Sequence, residues 1–270
     1  MKAFLVVVSM SSKLVPYWDK FCSVHRVHLR ANVYNEKSTL FQCSTATAFH
    51  IKGSKGLFWK HTLSDVTGYD YIWLLDEDMR FYDPSFGVLS LVMDATKASI
   101  LQPSVIPVNH NKFVNYSHPK NDCMVHTTSF VEVQAPVFAA NAWTSFYKTI
   151  LSNIPDPTLY KSCWVDAFWC TFVEKRLHSR CVYSKLTLLK HLSLKTMNKK
   201  RRQHMMRYSA LPETLKQYIR YPSRPERVRG CLDSDVERHA AGGGPLLRSY
   251  SKSHACMPDP SSRHRPELCL

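Results

Sequence analysis

The segment Tyr69–Leu75, followed directly by Asp76, Glu77 and Asp78, constrains the fold of this chain more than any other feature. It is rich in aromatic and branched apolar side chains, which is typical of a short central β-strand. Ligands of open α/β sheets bind beyond the carboxyl ends of the strands. Residues two apart in an extended segment point to the same side, so Asp76 and Asp78 face one ion while Glu77 points elsewhere. Since carboxylate oxygens suit magnesium or manganese, the pattern predicts a divalent metal that bridges to a diphosphate.

Other proteins also end an apolar strand in two acids, and an ordinary acidic turn is the simplest alternative to a metal site. A haloacid-dehalogenase phosphatase is a second alternative, but its pattern has Thr or Val at the position that Arg80 occupies here. A two-metal nuclease would agree with the basic charge of the chain, but it needs a further series of acids, and these are sparse. These alternatives stay open at the level of the motif alone.

The alternation of strand and helix patterns along residues 1–198 predicts a layered α/β domain with mostly parallel strands. Strands are predicted at Lys2–Ser9, near Ser38–Cys43, and at Tyr69–Leu75, Ile100–Pro103, Phe130–Pro136 and Val182–Leu189. Helices are predicted over Ser11–His28, Gly53–Leu63, Asp83–Thr96, Asn141–Ser152 and Cys163–Leu177. Residues 104–128 and Pro155–Tyr160 are expected to be loops.

The formal net charge of +15 favours anionic partners, namely nucleic acid, acidic membranes or phosphorylated ligands. Residues 199–270 carry 15 Lys or Arg and 7 Asp or Glu, a net charge of +8, and are expected to form a loosely ordered tail with one helix candidate at Pro212–Tyr221. The basic run Lys199–Arg202 is interpreted as solvated. Because the tail lacks the interleaved aromatic residues of a nucleic-acid platform, nucleic acid is not favoured as a partner.

The chain has nine cysteines and no Cys/His cluster with zinc-ligand spacing. An oxidising compartment would allow disulfides, for which Cys123, Cys163, Cys170 and Cys181 are candidates; small buried thiols are the equal alternative. The longest apolar runs fall short of the ~18 residues that span a bilayer. The first of them, at residues 3–8, is interpreted as a buried strand, and a membrane anchor upstream of residue 1 stays an open alternative.

Five blocks follow one another along the chain: Gly56–Leu63, Tyr69–Asp78, Leu101–Pro103, Phe130–Phe138 with the following Trp143, and Trp164–Asp166. Their order resembles an uncharacterised, plant-abundant family of glycosyltransferase-like proteins, some of whose members are labelled "lysine-ketoglutarate reductase trans-splicing related". The resemblance covers about residues 54–198 and implies a GT-A-like, Rossmann-type layered domain with a mixed, mostly parallel sheet. It also implies a nucleotide-sugar donor, an unknown hydroxyl acceptor (glycan, protein or small molecule) and a manganese or magnesium ion.

The resemblance also implies roles for single residues. Asp76 and Asp78 would bind the metal and the diphosphate, with His191 as a third metal ligand. Asp166 would take the proton of the acceptor hydroxyl, although an acid at a helix start also stabilises the helix dipole.

Three further residues are candidates on sequence context. Glu132, an acid within an apolar strand, is a second candidate base. Lys55 and Lys60 are candidate phosphate contacts, against the alternative of a charged helix face.

The resemblance favours the Golgi lumen or another part of the secretory pathway, and the cytoplasm if no upstream anchor exists. Two functions other than a metal-dependent glycosyltransferase stay open: a non-catalytic binding module with the same fold, and a basic nucleic-acid-binding protein.

Overall fold

The computed structural model describes residues 2–36, 40–81, 85–107, 123–160, 165–192, 211–219 and 229–241. Its strands are β1 (Phe4–Met10), β2 (His28–Val33), β3 (Ala46–Phe49), β4 (Tyr71–Asp76), β5 (Met79–Phe81), β6 (Ile100–Pro107), β7 (Val125–Thr128), β8 (Val137–Ala139), β9 (Cys181–His191) and β10 (Arg229–Cys231). Its helices are α1 (Val15–His25), α2 (Lys55–Thr62), α3 (Phe86–Thr96), α4 (Ala140–Thr149), α5 (Asp156–Tyr160), α6 (Trp169–Leu177), α7 (Glu213–Lys216) and α8 (Asp233–Ala241).

The strands form one mixed sheet in the order β10-β7-β9-β6-β8-β4-β1-β2-β3, and β5 pairs with β9 beside this path. Strands β3, β2, β1 and β4 run parallel to one another. The antiparallel β8 joins them to β6, which runs parallel to β9. This arrangement confirms the predicted α/β fold with a mixed, mostly parallel sheet, and it gathers the carboxyl ends of β1, β4, β6 and β9 at one edge.

Two helical layers cover the sheet, and this explains why β1 is apolar on both faces. Its residues Phe4, Val6, Val8 and Met10 pack with α1 and α3 on one side. Leu5 and Val7 pack with α2, α4 and α6 on the other. Since successive strand residues face opposite sides, a strand buried between two helical layers reads as a continuous apolar run.

The structure corrects several predicted elements. The polar segment between α1 and α2 contributes β2 and β3, whereas the described part of the predicted strand near Ser38–Cys43 is a bend. The region 104–128, predicted as a loop, contains the end of β6 and all of β7. Pro155–Tyr160, also predicted as a loop, contains α5. Strands β2, β3 and β7 are stabilised by the neighbouring strands of the sheet, and local sequence patterns do not show such contacts.

The predicted strand Phe130–Pro136 is instead an irregular segment that leads into β8. Its backbone hydrogen bonds do not form a continuous strand ladder. The N–H of Asp76 donates to the carbonyl of Gln134, and the N–H of Leu74 donates to the carbonyl of Pro136, both at 2.9 Å. The side-chain oxygen of Gln102 accepts from the N–H of Glu132, also at 2.9 Å. Because Pro136 has no N–H to donate, the segment cannot continue the ladder.

Two segments from the predicted basic tail fold onto the domain, contrary to the expectation of loose order for those residues. Leu211 and Leu215 are buried against the layer that contains α6, and Leu232 and Val236 against the layer that contains α3. β10 pairs with β7, and Asp233 accepts bonds from the N–H groups of Met124 (3.1 Å) and Val125 (2.7 Å). The predicted helix at Pro212–Tyr221 overlaps α7, whereas no predicted element corresponds to β10 or α8. Lys199–Arg202 lies outside the described residues.

Three disulfides link Cys22 to Cys43, Cys123 to Cys231 and Cys170 to Cys181. Three of the four cysteines predicted as disulfide candidates therefore take part, and the fourth, Cys163, lies outside the described residues. Among the described helices, none is both long and apolar enough to cross a membrane.

Candidate functional site

Three potential metal ligands meet at the carboxyl edge of the sheet. Asp76 is the last residue of β4, and Asp78 lies in the turn that joins β4 to β5. His191 is the last residue of β9 and is placed beside this turn because β5 pairs with β9, with Met79 opposite His191. The N–H of Leu192 also donates to the carbonyl of Asp78 at 3.1 Å. Two chain segments more than a hundred residues apart in sequence are thus fixed together by backbone bonds.

The geometry of Asp76, Asp78 and His191 fits a divalent cation. One ligand atom of each lies within 4.8 Å of the others. Nε2 of His191 is 3.1 Å from Oδ1 of Asp78 and 3.8 Å from Oδ2 of Asp76. Two carboxylates and one imidazole form a donor set that suits manganese or magnesium. The three side chains are only 7% to 18% exposed, so charge on them is weakly screened by solvent.

Glu77 points away from this cluster, as the alternation of the motif predicts. One of its carboxylate oxygens accepts from the N–H of Ser11 at 2.6 Å, and the hydroxyl of Tyr34 donates to both oxygens at 3.0 and 3.2 Å. Its carbonyl accepts from the indole of Trp18 at 3.2 Å. These contacts hold the turn between Asp76 and Asp78 against the ends of β1 and β2.

Lys55 lies in the same cluster, where its ammonium group forms an ion pair with Oδ1 of Asp76. Ser54 caps α2 by accepting from the N–H of Leu57 and donates its own hydroxyl to the carbonyl of Leu159, which fixes the start of the helix. The structure therefore brings together Lys55 and the predicted metal ligands. Its predicted role as a phosphate contact stays a prediction.

Two further acids lie close enough to Lys55 to interact with it electrostatically. Desolvation raises the pKa of Glu132 to about 6, against the opposing effect of the positive charges of Lys55 and His191. Burial, together with the negative charge of Glu132, raises the pKa of Asp166 well above its usual value. Oδ1 of Asp166 is buried and has no hydrogen-bond partner among the described residues. A buried carboxylate oxygen without a partner is unusual, and it marks Asp166 as a candidate functional residue.

Lys60, the second predicted phosphate contact, is not joined to this cluster by any contact among the described residues. Its ammonium donates to Oδ1 of Asp156 at 2.7 Å and to the carbonyl of Ile154 at 2.8 Å. These bonds tie α2 to the region of α5, so Lys60 has a structural role that its sequence context does not show.

Two residues of the site were not found by sequence reasoning. Tyr34 follows β2, in a segment for which no element is predicted, and its hydroxyl donates to Glu77. Gln102 lies inside a predicted strand, where its side-chain oxygen accepts from the N–H of Glu132. A polar side chain inside the predicted strand Ile100–Pro103 is the available sequence signal for Gln102, and the structure shows that this side chain is fully buried. No local signal existed for Tyr34.

Comparison with solved structures shows that the chain has a GT-A fold. It is similar to S. aureus TarS (TM-score 0.52, 12% identity, 71% of this chain and 37% of that one covered). It is also similar to residues 1–349 of S. aureus TarS in complex with UDP-GlcNAc (TM-score 0.50, 10% identity, 76% and 61% covered). A third similar structure is GalNAc-T7 with UDP, GalNAc and Mn²⁺ (TM-score 0.51, 6% identity, 70% and 43% covered).

The chain spans between 37% and 61% of the length of these three chains, and at such identities the likeness shows the fold alone. No protein-family model matches the sequence, and no curated protein matches it either. The GT-A part of the resemblance is thus confirmed, whereas the narrower plant-abundant family stays a prediction.

Proposed function

We propose that this protein is a metal-dependent glycosyltransferase that moves a sugar from a nucleotide-diphosphate donor to a hydroxyl acceptor. The observation that carries the proposal is the convergence of Asp76, Asp78 and His191 at the carboxyl edge of a GT-A sheet. Similar folds whose structures contain UDP-GlcNAc, or UDP with Mn²⁺, support a nucleotide-sugar donor and manganese as the ion.

The charge of the site also supports a bound cation. Asp76, Asp78 and Glu132 contribute carboxylates to the site, and the ammonium of Lys55 opposes their charge. An excess of carboxylates in a partly buried site is costly without a counter-ion, so a divalent cation would stabilise it. When bound, the metal would supply Lewis acidity for the departing diphosphate.

The residues around the ligands would handle the acceptor. Asp166, whose Oδ1 has no hydrogen-bond partner among the described residues, would accept a hydrogen bond from the acceptor hydroxyl and take its proton. Glu132 lies near enough to Asp166 to raise its pKa and is the second candidate base. An acid with a raised pKa is a stronger base once ionised, which favours this assignment.

Calorimetric titration with UDP, GDP and their common sugars, with and without manganese, tests the donor site. We expect binding that requires the metal and is lost in Asp76→Ala and Asp78→Ala. The matched control is Asp65→Ala, which removes a carboxylate from an exposed loop. Metal-independent binding, or unchanged binding in both site variants, would contradict the proposal.

The pH dependence of sugar transfer tests the base. Because only ionised Asp166 accepts a proton, and its pKa is raised, kcat/KM should increase with pH above the usual range of a carboxyl group. Asp166→Asn should lose this rise and lower kcat/KM by about 10²- to 10⁴-fold. A variant that keeps the wild-type profile would rule Asp166 out, and Glu132→Gln would then be the variant to measure.

A non-catalytic binding module is the second candidate, and the raised pKa of Asp166 is the observation that favours it. A carboxyl group with a raised pKa holds its proton to a higher pH, and in that form it donates a hydrogen bond to a ligand but cannot remove a proton. This candidate predicts tight nucleotide-sugar binding without turnover across a broad panel of acceptors.

The three disulfides support a location in an oxidising compartment, with the Golgi lumen as our specific proposal. Blocking free thiols before and after reduction, followed by mass spectrometry of the native protein, would identify the paired cysteines.

A further inference from the structure

Lys55 places a positive charge where a metal is expected to bind. Its ammonium contacts Oδ1 of Asp76, and both side chains are largely shielded from solvent, with 26% and 18% of their surfaces exposed. A lysine ammonium and a divalent cation both require the oxygens of this carboxylate. Their charges also repel each other at short range.

The backbone of Lys55 is fixed, but its long side chain has other carboxylates to turn to. The helix start is anchored by the Ser54 cap, and Gly56 packs closely against Val165. Lys55 also interacts electrostatically with Glu132 and Asp166, on the acceptor side of the proposed site. Because the four methylene groups of lysine allow several rotamers, the ammonium can turn from Asp76 towards the negative charge of Glu132.

We propose that Lys55 is a built-in counter-ion that occupies Asp76 in the metal-free protein and must leave it when a divalent metal binds. This inference rests on the proposed function and adds a regulatory step to the same site. The ammonium weakens metal binding in the absence of donor. A donor diphosphate offers the displaced ammonium a new partner, so metal and donor strengthen each other's binding.

The experiment is manganese binding to the full chain, measured from the electron paramagnetic resonance signal of free Mn²⁺, first without nucleotide and then with UDP. The variants are Lys55→Met, which keeps the length of the side chain and removes its charge, and Lys55→Arg, which keeps the charge. The control is Lys52→Met, which removes one exposed positive charge from the loop before α2.

Without nucleotide, Lys55→Met should bind Mn²⁺ at least about tenfold more tightly than the wild type, as expected for removing a cation in contact with a ligand. Lys55→Arg and Lys52→Met should bind like the wild type. UDP should strengthen Mn²⁺ binding by a smaller factor in Lys55→Met than in the wild type, because the ammonium that UDP would have accepted is gone.

Failure of this inference is distinguishable from failure of the proposed function. If the wild type binds Mn²⁺ and Lys55→Met binds it equally or more weakly, the counter-ion role is wrong and the metal site stands. If neither protein binds Mn²⁺ with or without UDP, the proposed function is overturned together with the inference. Lys55→Gln is the second neutral variant, in case Lys55→Met does not fold.

Discussion

At the scale of single residues, the site contains acids whose surroundings oppose their ionisation. Glu132 has a pKa of about 6 and Asp166 one raised well above its usual value, in both cases chiefly through desolvation. Groups of this kind lower the stability of the folded chain at neutral pH. Lys55 and His191 offset part of that cost for Glu132.

The prediction at this scale concerns Glu132→Gln. The folded-state pKa is higher than the ordinary value of 4.5 for a glutamate, so the folded protein binds the proton more strongly than the unfolded one. The wild type therefore loses stability as pH rises from about 4.5 to about 6, by roughly 2 kcal/mol at 1.36 kcal/mol per pKa unit. Glu132→Gln lacks this loss.

Urea unfolding at pH 4.5 and pH 7.5 measures the effect. The free energy of unfolding of the variant minus that of the wild type should be larger at pH 7.5 than at pH 4.5, by up to about 2 kcal/mol. A difference that does not change between the two pH values would show that Glu132 is not desolvated.

At the scale of elements, the turn between β4 and β5 is held by side chains from other strands rather than by its own sequence. Glu77 is bound by the N–H of Ser11 and the hydroxyl of Tyr34. Tyr34→Phe removes a hydrogen bond to a charged group, which should cost about 1.5–3 kcal/mol of unfolding free energy. It should also weaken metal binding, because Asp76 and Asp78 flank Glu77.

The matched control is Tyr147→Phe, which removes a hydroxyl that donates to the carbonyl of Lys60 at 2.8 Å, away from the turn. Calorimetric Mn²⁺ titration of both variants separates the two effects. Equal metal affinity in the two variants would mean that Glu77 does not position the ligands.

A second prediction at this scale concerns the close approach of α2 to the turn that carries Asp166. A Cβ atom at Gly56 would lie 2.9 Å from Cγ2 of Val165 and 3.1 Å from Cδ2 of Leu159, whereas one at Gly87 in α3 would meet nothing within 4 Å. Gly87→Ala should raise stability by about 1 kcal/mol through helix propensity. Gly56→Ala should lack this gain and lower the rate of transfer by shifting Asp166.

Thermal unfolding and transfer assays of the two glycine variants check this expectation. Equal stabilisation by both, with unchanged transfer, would show that the turn carrying Asp166 tolerates displacement.

At the scale of the whole molecule, the domain is completed by segments far along the chain. β10 and α8 cover the edge at β7 and pack against α3, and Leu211 and Leu215 cover α6. The Cys123–Cys231 disulfide joins residues 108 apart. A chain ending at residue 198 would expose the apolar side chains that these segments cover, and it would lose the disulfide.

The expected result is that residues 1–198 unfold at a lower temperature than residues 1–241. Each buried leucine or valine contributes about 1.5–3 kcal/mol and the disulfide about 2–4 kcal/mol. Equal melting of residues 1–198 and 1–241 would contradict the packing of the two segments.

The sequence determined the α/β class, the central strand before Asp76 and the opposed directions of Glu77 and its two neighbours. These features follow from local apolar patterns and from the alternation of side chains along a strand, so they can be predicted without tertiary contacts. The resemblance added His191, Asp166 and the GT-A fold, of which the comparisons confirm the fold.

Only the tertiary structure decided which residues meet. It placed His191 beside Asp78 through the β5–β9 pairing, and Lys55 against Asp76. Lys60, predicted as a phosphate contact, binds Asp156. It also turned Phe130–Pro136 from a strand into an irregular segment and folded part of the basic tail onto the sheet. These outcomes depend on contacts between residues distant in sequence, whose free energies outweigh local propensities and leave no periodic trace in the chain.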